Sequence, residues 1–318
     1  MVVPDHIAGL CLEDGHGPGT LRILKAWLDS ARGDANDLIP VSRRLSDEPE
    51  TLLSGLISWT GPVGDSPAPS AIFALLLSRG ARWLLPELGL PNMLIKAVLS
   101  RNREATVALL LHGADPRLPL PDDDAVFFRG ITALHGAVNG TLCVSPKIVA
   151  LLLKFGADPN ARISDNVTTE CKRLVEPTVL LGATKFNLRT PKQITIEVIR
   201  LLLDAGADLD ARNWDGLNAE DRVRPATALP HHPLSDRHQN MLALLTDVRE
   251  AGSWRRYVNQ PRVDLMVLLR LCSSGRALPP ADFYTRLRAL PSALTFQVLS
   301  FWRTPRDAPG GLLDDVLP

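Results

Sequence analysis

Glycines, histidines and acidic residues supply the first candidates for chemistry in this sequence. Asp14-Gly15-His16-Gly17-Pro18-Gly19-Thr20 is a glycine-rich segment before an expected helix, as in loops that bind phosphate through backbone amides. Such a loop follows a strand and closes on Lys-Ser or Lys-Thr, and this segment has neither feature. We therefore expect an ordinary connection here and not a nucleotide site.

Two further groups could hold a metal ion. His231, His232 and His238 lie in a proline-rich stretch without a nearby cysteine, which favours a solvated loop over a zinc site. The acidic run at 122–124 lacks the glycine and the distal glutamate of a calcium loop. No Gly-x-Ser-x-Gly elbow is present. We predict that the protein is not an enzyme and needs no cofactor or metal; a catalytic or metal function near the histidines stays open as a third hypothesis.

The overall composition is that of a neutral globular protein. The 318 residues contain 35 Lys+Arg and 35 Asp+Glu, so the formal net charge is zero, which argues against a nucleic-acid binder. Hydrophobic residues make up 45% and charged residues 22%, which excludes general disorder. Aromatic residues are only 5%, which suits a core of Leu, Ala and Val.

Cysteines and apolar stretches bear on the cellular compartment. The four cysteines are scattered, so a reducing interior is the simpler interpretation. The start has no basic region followed by an apolar run, and no apolar stretch approaches the roughly 18 residues that a membrane span needs. We expect a cytoplasmic monomer without a membrane partner, with the nucleus as an alternative compartment.

One phrase recurs along the chain and decides the fold class. A run of three leucines is followed by glycine and alanine, and three copies then continue with aspartate. The leucines form an apolar helical stripe, the glycine supplies a left-handed residue that ends the helix, and the Asp and Asn that follow suit a tight turn. Clear copies lie at 75–81, 109–116, 151–160 and 201–210, and a degenerate copy lies at 27–36.

The phrase resembles the end of an ankyrin repeat. Thr132-Ala133-Leu134-His135-Gly136-Ala137 is similar to the opening Thr-Pro-Leu-His-x-Ala of that family, and Gly80 to Gly113 is one period of about 33 residues. The resemblance implies an all-α ankyrin-repeat solenoid of about six units, and a structural role for His135 in hydrogen bonding between neighbouring repeats. The expected units lie near 5–37, 48–84, 90–118, 130–161, 176–211 and 216–250, within an array of residues 5–250. The intervals from Gly113 to Gly156 and from Gly156 to Gly206 are longer than one period, which implies enlarged loops near 117–130, 139–147, 164–176 and 185–193.

The resemblance also implies where a partner would bind. In ankyrin arrays the turn after each Gly-Ala-Asp projects as a finger, and fingers and first helices line a concave face that contacts partner proteins. An enlarged finger here combines an acidic run with two phenylalanines, and Trp214 lies at the finger before the last unit, so we predict partner-binding residues at Asp122, Asp123, Asp124, Phe127, Phe128 and Trp214. Two alternatives remain open, namely that the phenylalanines pin their own loop and that Trp214 packs on the neighbouring finger.

The residues after 252 form a different segment. Residues 263–272 read as an apolar helix that Gly275 ends, shorter helices follow, and arginine outnumbers aspartate throughout. We predict a helical cap over residues 252–304 and a frayed tail at 305–318.

The same segment resembles two boxes that recruit cullin-type ubiquitin ligases, the F-box and the suppressor-of-cytokine-signalling box. The resemblance departs from both, because too few residues follow for a complete F-box and Arg276 stands where the other box has an aliphatic residue. A cap and a cullin-adaptor site are therefore both open. The residues implied in adaptor binding are Leu290, Pro291, Leu294, Val298 and Phe301.

Overall fold

The computed structural model describes most of the chain up to residue 276. The described residues are 2–12, 18–30, 33–40, 50–58, 68–84, 92–120, 130–139, 145–163, 172, 175–184, 196–227 and 235–276. They contain helices and isolated β-bridges, such as those that join Leu38 to Thr51 and Arg162 to Thr178. The prediction of an all-α protein is confirmed.

Twelve of the helices in the described residues form six consecutive pairs, and a thirteenth follows them. The pairs are α1 (Asp5–Leu12) with α2 (Pro18–Leu28), α3 (Leu52–Ser58) with α4 (Ala68–Ser78), α5 (Met93–Leu99) with α6 (Arg103–Leu111), α7 (Ala133–Asn139) with α8 (Pro146–Lys154), α9 (Val179–Ala183) with α10 (Ile196–Asp204), and α11 (Ala219–Thr227) with α12 (Ser235–Glu250). The last helix, α13, spans Trp254–Ser273. Each expected unit contains one pair.

The recurrent phrase ends the second helix of a pair as its sequence predicts. After α6 the backbone amides of Gly113 and Ala114 donate to Leu110 and Leu109, which closes the last turn. Gly113 has a φ of 90°, in the region that favours glycine. The phrase glycines Gly80, Gly156 and Gly206 have positive φ as well.

The helices form two layers. The first helices of successive pairs contact one another in the order α1, α3, α5, α7 and α9, and the second helices in the order α2, α4, α6, α8 and α10. The apolar faces meet between the layers in one continuous core that extends from Val3 to Tyr257. Neighbour-to-neighbour packing of this kind is the architecture of a repeat solenoid.

Helix α13 joins the array at its end. It contacts α12 and α10, and the indole Nε1 of Trp254 donates to Asp204 Oδ1 at 2.9 Å. Tyr257 belongs to the continuous core, and the partly buried Trp254 and Val258 pack against it. Further along the helix, Leu265 and Leu269 are buried in a cluster apart from that core. The first turns of α13 therefore cover the end of the array, whereas its later turns pack elsewhere.

One expectation about histidine is wrong. His238 lies in helix α12 and is buried, so it is not part of a solvated loop. The apolar residues of α12, such as Met241 and Leu245, place this turn against the core. His231 and His232 lie outside the described residues. None of the helices described is both long enough and apolar enough to cross a membrane.

Candidate binding surface

The turns that follow the second helices α2, α6, α8 and α10 have the same local structure. The aspartate of the phrase accepts, through Oδ1, the backbone amide two residues later, with distances of 2.8 Å at Asp34, 2.9 Å at Asp115, 2.9 Å at Asp158 and 2.8 Å at Asp208. A short side chain that accepts this hydrogen bond fixes the turn without help from the rest of the fold. We call these turns, with the described residues that follow them before the next first helix, the fingers.

Neighbouring fingers are joined by a ladder of side-chain hydrogen bonds. Asn160 Nδ2 donates to the carbonyl oxygen of Gly206 at 2.9 Å, and its Oδ1 accepts from the backbone amide of Asp208 at 2.8 Å. Asn36 makes the same two contacts with Gly80 and Arg82, at 3.1 Å and 2.8 Å. These two pairs of neighbouring fingers are therefore held at a fixed spacing.

Arginines continue the ladder where asparagine is absent. Arg117 Nε donates to the carbonyl oxygen of Gly156 at 2.8 Å. At the last finger Arg249 Nη1 pairs with Asp210 Oδ1 at 2.6 Å, and its Nε pairs with the buried Glu220. The hydrogen bonds to Glu220 and Asp210 raise the pKa of Arg249, which keeps this guanidinium charged. The ladder thus ends in an ion pair that ties the last finger to α12.

His135 connects two repeats from inside the fold. Its Nδ1 accepts the backbone amide of Thr132 at 3.4 Å and lies 2.9 Å from the hydroxyl of Thr132, so Nε2 carries the hydrogen and donates to Pro177 O at 3.4 Å. The ring is fully buried. Burial lowers the pKa of His135 to about 4, so the ring is neutral at pH 7. These contacts agree with the structural role that the resemblance implies.

The first helices form one layer of the array. The side of this layer that faces away from the second helices is accessible between the fingers. We call it the inner face. In α5 the residues that are not fully buried are Lys96 and Leu99, which therefore mark this side. Lys96 stands four residues after Asn92, which directly precedes α5. In the second to sixth repeats, the position four residues after the Thr or Asn before the first helix is occupied by Gly55, Lys96, Gly136, Gly182 and Arg222.

Glycine at this position lets leucines of the preceding repeat lie over the helix. A Cβ at Gly136 would come within 3.4 Å of Leu99, and a Cβ at Gly55 within 3.1 Å of Leu12. The inner face is therefore smooth and apolar at these repeats, because no side chain projects from the helix itself.

Two ion pairs interrupt this smooth surface. Lys96 Nζ lies 3.2 Å from Glu50 Oε1 and donates to Ser54 Oγ at 2.5 Å. Arg222 Nη1 lies 3.0 Å from Glu176 Oε1. Both carboxylates are buried and both cations are partly exposed. Each cation reaches back to the preceding repeat, so each pair fixes the angle between two neighbours and also places a positive charge on the inner face.

Trp214 lies half-buried at the last finger and contacts the finger before it. Its Nε1 donates to the carbonyl oxygen of Val175 at 3.4 Å. The guanidinium carbon of Arg162 lies 5.8 Å from the ring centroid and the ammonium of Lys172 lies 5.2 Å from it. Both distances suit cation–π contacts. Trp214 therefore contributes to the contact between neighbouring fingers, while part of its surface remains accessible.

The other predicted site residues lie outside the described residues. These are the finger residues Asp122, Asp123, Asp124, Phe127 and Phe128, and the box residues Leu290, Pro291, Leu294, Val298 and Phe301. Of the predicted sites, the structure thus locates Trp214.

The charged pairs of the inner face are not evident from any single sequence motif. Alignment of the openings would have shown Lys96 and Arg222 at the position where three other repeats have glycine. Their partners are less visible, because Glu50 lies directly before the opening threonine and Glu176 lies one residue further from it.

The described residues contain no group of three His, Cys, Asp or Glu side chains arranged to hold a metal ion. Cys11 is buried in the core, and burial raises the pKa of its thiol to about 12. A thiol of this kind is a packing residue and a poor nucleophile at neutral pH.

Comparison with known proteins agrees with this architecture. The ankyrin repeat family model matches residues 129–164, which contain α7, α8 and the finger that follows them. No curated protein matches the chain. Residues 129–164 therefore match one ankyrin repeat, and the matched segment is one of the six stacked helix pairs of the array.

Three of the solved structures that match the chain are ankyrin repeat proteins. The human ASB11 ankyrin repeat domain is 21% identical with a TM-score of 0.46, over 76% of this chain and 86% of that one. The ankyrin repeat protein EF0377 is 18% identical with a TM-score of 0.46, over 75% and 97%. The ankyrin repeat domain of Bcl-3 is 20% identical with a TM-score of 0.44, over 70% and 84%. An array of ankyrin repeats is a protein-interaction domain, because its stacked repeats present an extended binding surface.

Proposed function

We propose that the chain binds a partner protein on the inner face and the fingers of its array. The observation that carries the proposal is the combination of a smooth inner face with fingers held at fixed spacing. Rigid fingers lower the entropy that is lost on binding, because the surface is already ordered. No reaction is needed for this function.

The charges of the inner face indicate how the partner is oriented. Lys96 and Arg222 stand three repeats apart, and the surface between them includes the leucine that covers Gly136. Partly exposed cations at two points and an apolar stretch between them favour a partner with an apolar centre and acidic ends. Such charges fix the register of a complex more than they increase its affinity.

The experiment that tests this proposal is quantitative affinity capture with charge-neutral variants. Glu50→Gln with Lys96→Met removes one ion pair from the inner face without changing the net charge. Glu197→Gln with Lys154→Met is the matched control, because both residues are exposed on second helices. We expect the first variant to retain less of the captured partner, by roughly tenfold, and the control to retain all of it. Equal retention by both variants, each shown to be folded by circular dichroism, would refute binding on the inner face.

We propose as an alternative that the residues after α13 recruit a cullin adaptor. The cluster of Leu265 and Leu269 supports it, because the later turns of α13 do not pack on the array as a simple cap would. The residues that would bind the adaptor, Leu290 to Phe301, lie outside the described part of the chain.

Co-purification tests the adaptor proposal. Leu290→Asp with Phe301→Asp should abolish recovery of a cullin adaptor while the helical content of the array is unchanged. If no adaptor is recovered with the unmodified chain, or if the variant retains it, the adaptor proposal fails and inner-face binding is unaffected.

A further inference from the structure

Helix α13 has an exposed face that the array does not use. Its buried residues, among them Tyr257, Leu265 and Cys272, lie on one side. The opposite side carries a stripe with the alternating spacing of four and three residues that helix pairs use. The stripe is exposed throughout and consists of Arg256, Gln260, Val263, Val267, Arg270 and Ser274.

The centre of this stripe is apolar. Val263 is 50% exposed and Val267 is 52% exposed, one turn apart. Among the described helices, no other face carries two large apolar residues that are this exposed. Single exposed apolar residues need no explanation, but a pair on one stripe suits a second helix laid along α13.

The ends and flanks of the stripe are basic. Arg256 and Arg270 bracket the valines, and residues 254–276 contain five arginines against the single carboxylate of Asp264. We propose that this stripe, which we call the α13 stripe, binds an amphipathic helix of a partner protein with aliphatic residues at its centre and acidic residues at its ends. This interaction is separate from binding on the inner face.

The charges argue against a second copy of the chain as the occupant. In a parallel pair Arg256 would face Arg256 and Arg270 would face Arg270. In an antiparallel pair centred on the valines, Arg256 would face Ser274 of the other copy and lie one helical turn from its Arg270. Like charges at close range oppose both arrangements.

A lipid surface fits the stripe less well than an acidic helix does. Helices that lie in a membrane interface carry large apolar faces with Trp, Phe or Leu. The α13 stripe has two valines and no aromatic residue. The positive charge is compatible with both occupants, so the apolar area decides between them.

Fluorescence anisotropy with the full chain and a synthetic helical peptide tests the proposal. The probe carries leucine at the two apolar positions of each heptad and glutamate at the flanking positions. A scrambled peptide of the same composition and a peptide with lysine in place of glutamate are the controls. We expect saturable binding of the glutamate peptide, and binding weaker by at least about tenfold for both control peptides.

Protein variants locate the binding on the stripe. Val263→Ser with Val267→Ser should weaken binding by roughly tenfold, and Arg256→Ala with Arg270→Ala should weaken it and flatten its salt dependence. Leu111→Ser is the matched control, because Leu111 is 56% exposed on α6 and should have no effect. All substituted residues are exposed, so circular dichroism should show folded variants.

Several results would overturn the proposal. They are the absence of saturable binding, equal binding of the scrambled peptide, and affinity unchanged by the valine variant. Vesicles containing anionic lipid that bind the chain through the valines would assign the stripe to a membrane. A dimer in sedimentation experiments that the valine variant abolishes would assign it to a second copy.

Discussion

Asn160 and Gly206 are 46 residues apart in the chain and are joined by a hydrogen bond of 2.9 Å from the asparagine Nδ2 to the glycine carbonyl oxygen. The Oδ1 of the same side chain accepts the amide of Asp208 at 2.8 Å. One asparagine thus fixes the spacing of two fingers, and Asn36 repeats the arrangement near the start of the array.

Replacement of Asn160 should loosen the array locally. Asn160→Ala removes both hydrogen bonds, and we expect a loss of about 1 kcal/mol in the free energy of unfolding, since these groups are exposed to water. Urea unfolding measures the loss. Hydrogen exchange should show faster exchange at the Asp208 amide.

The control for this variant is Asn240→Ala. Asn240 is exposed on helix α12, where alanine should change stability by no more than a few tenths of a kcal/mol. If both variants have the same stability and the same exchange at Asp208, the ladder does not hold the fingers.

Two glycines should respond to alanine in opposite directions. Gly113 has a φ of 90° and no atom within 4 Å of an added Cβ, so Gly113→Ala should cost about 1 kcal/mol through backbone strain alone. Gly19 lies in helix α2 with equally open surroundings, so Gly19→Ala should stabilise by about 0.5 kcal/mol. Thermal unfolding of the two variants checks the signs. A stabilising Gly113→Ala would contradict the left-handed helix end.

The buried His135 predicts that stability falls in acid. The pKa of His135 is lowered from 6.5 to about 4 by burial, so below pH 6.5 the unfolded chain binds a proton that the folded chain does not. The stability is complete above pH 6.5 and decreases, by up to about 1.4 kcal/mol per pH unit, as the pH falls towards 4.

Urea unfolding at pH 7 and pH 5 tests this prediction. Other groups also titrate in this range, so the comparison is with His135→Gln, which should be less stable at pH 7 and should lose less on acidification. Equal losses in the two proteins would show that His135 does not account for the acid sensitivity.

The pair of Lys96 and Glu50 should show strong coupling in a double-mutant cycle. Lys96→Met leaves the buried Glu50 carboxylate without the ammonium 3.2 Å away, whereas the double variant with Glu50→Gln also removes the carboxylate. We expect the double variant to be more stable than the sum of the single losses predicts, by about 1 kcal/mol or more. Additive losses would mean that the pair does not join the two repeats.

The sequence predicted the fold well because the fold is repeated. The leucine phrase, the glycine that ends the helix and the aspartate of the turn each act within a few residues, and the structure shows them at 109–116 and 151–160 as expected. His238 was misplaced because the proline-rich residues before it concealed the start of α12.

The proposed binding surface was less predictable than the fold. Glu50 and Lys96 are in different repeats, and their contact depends on how two helices stack. Whether such a contact forms depends on the angle between neighbouring repeats, and no local sequence pattern encodes that angle. The same reason explains why the exposed stripe of α13 could not be distinguished from its buried face by composition.

Hydrogen exchange of the chain with and without its captured partner shows which helices the partner contacts. Binding on the inner face predicts added protection in the first helices α3, α5, α7 and α9 and in the fingers, with no change in the second helices α4, α6 and α8. Protection confined to the second helices, with the inner face unchanged, would contradict it.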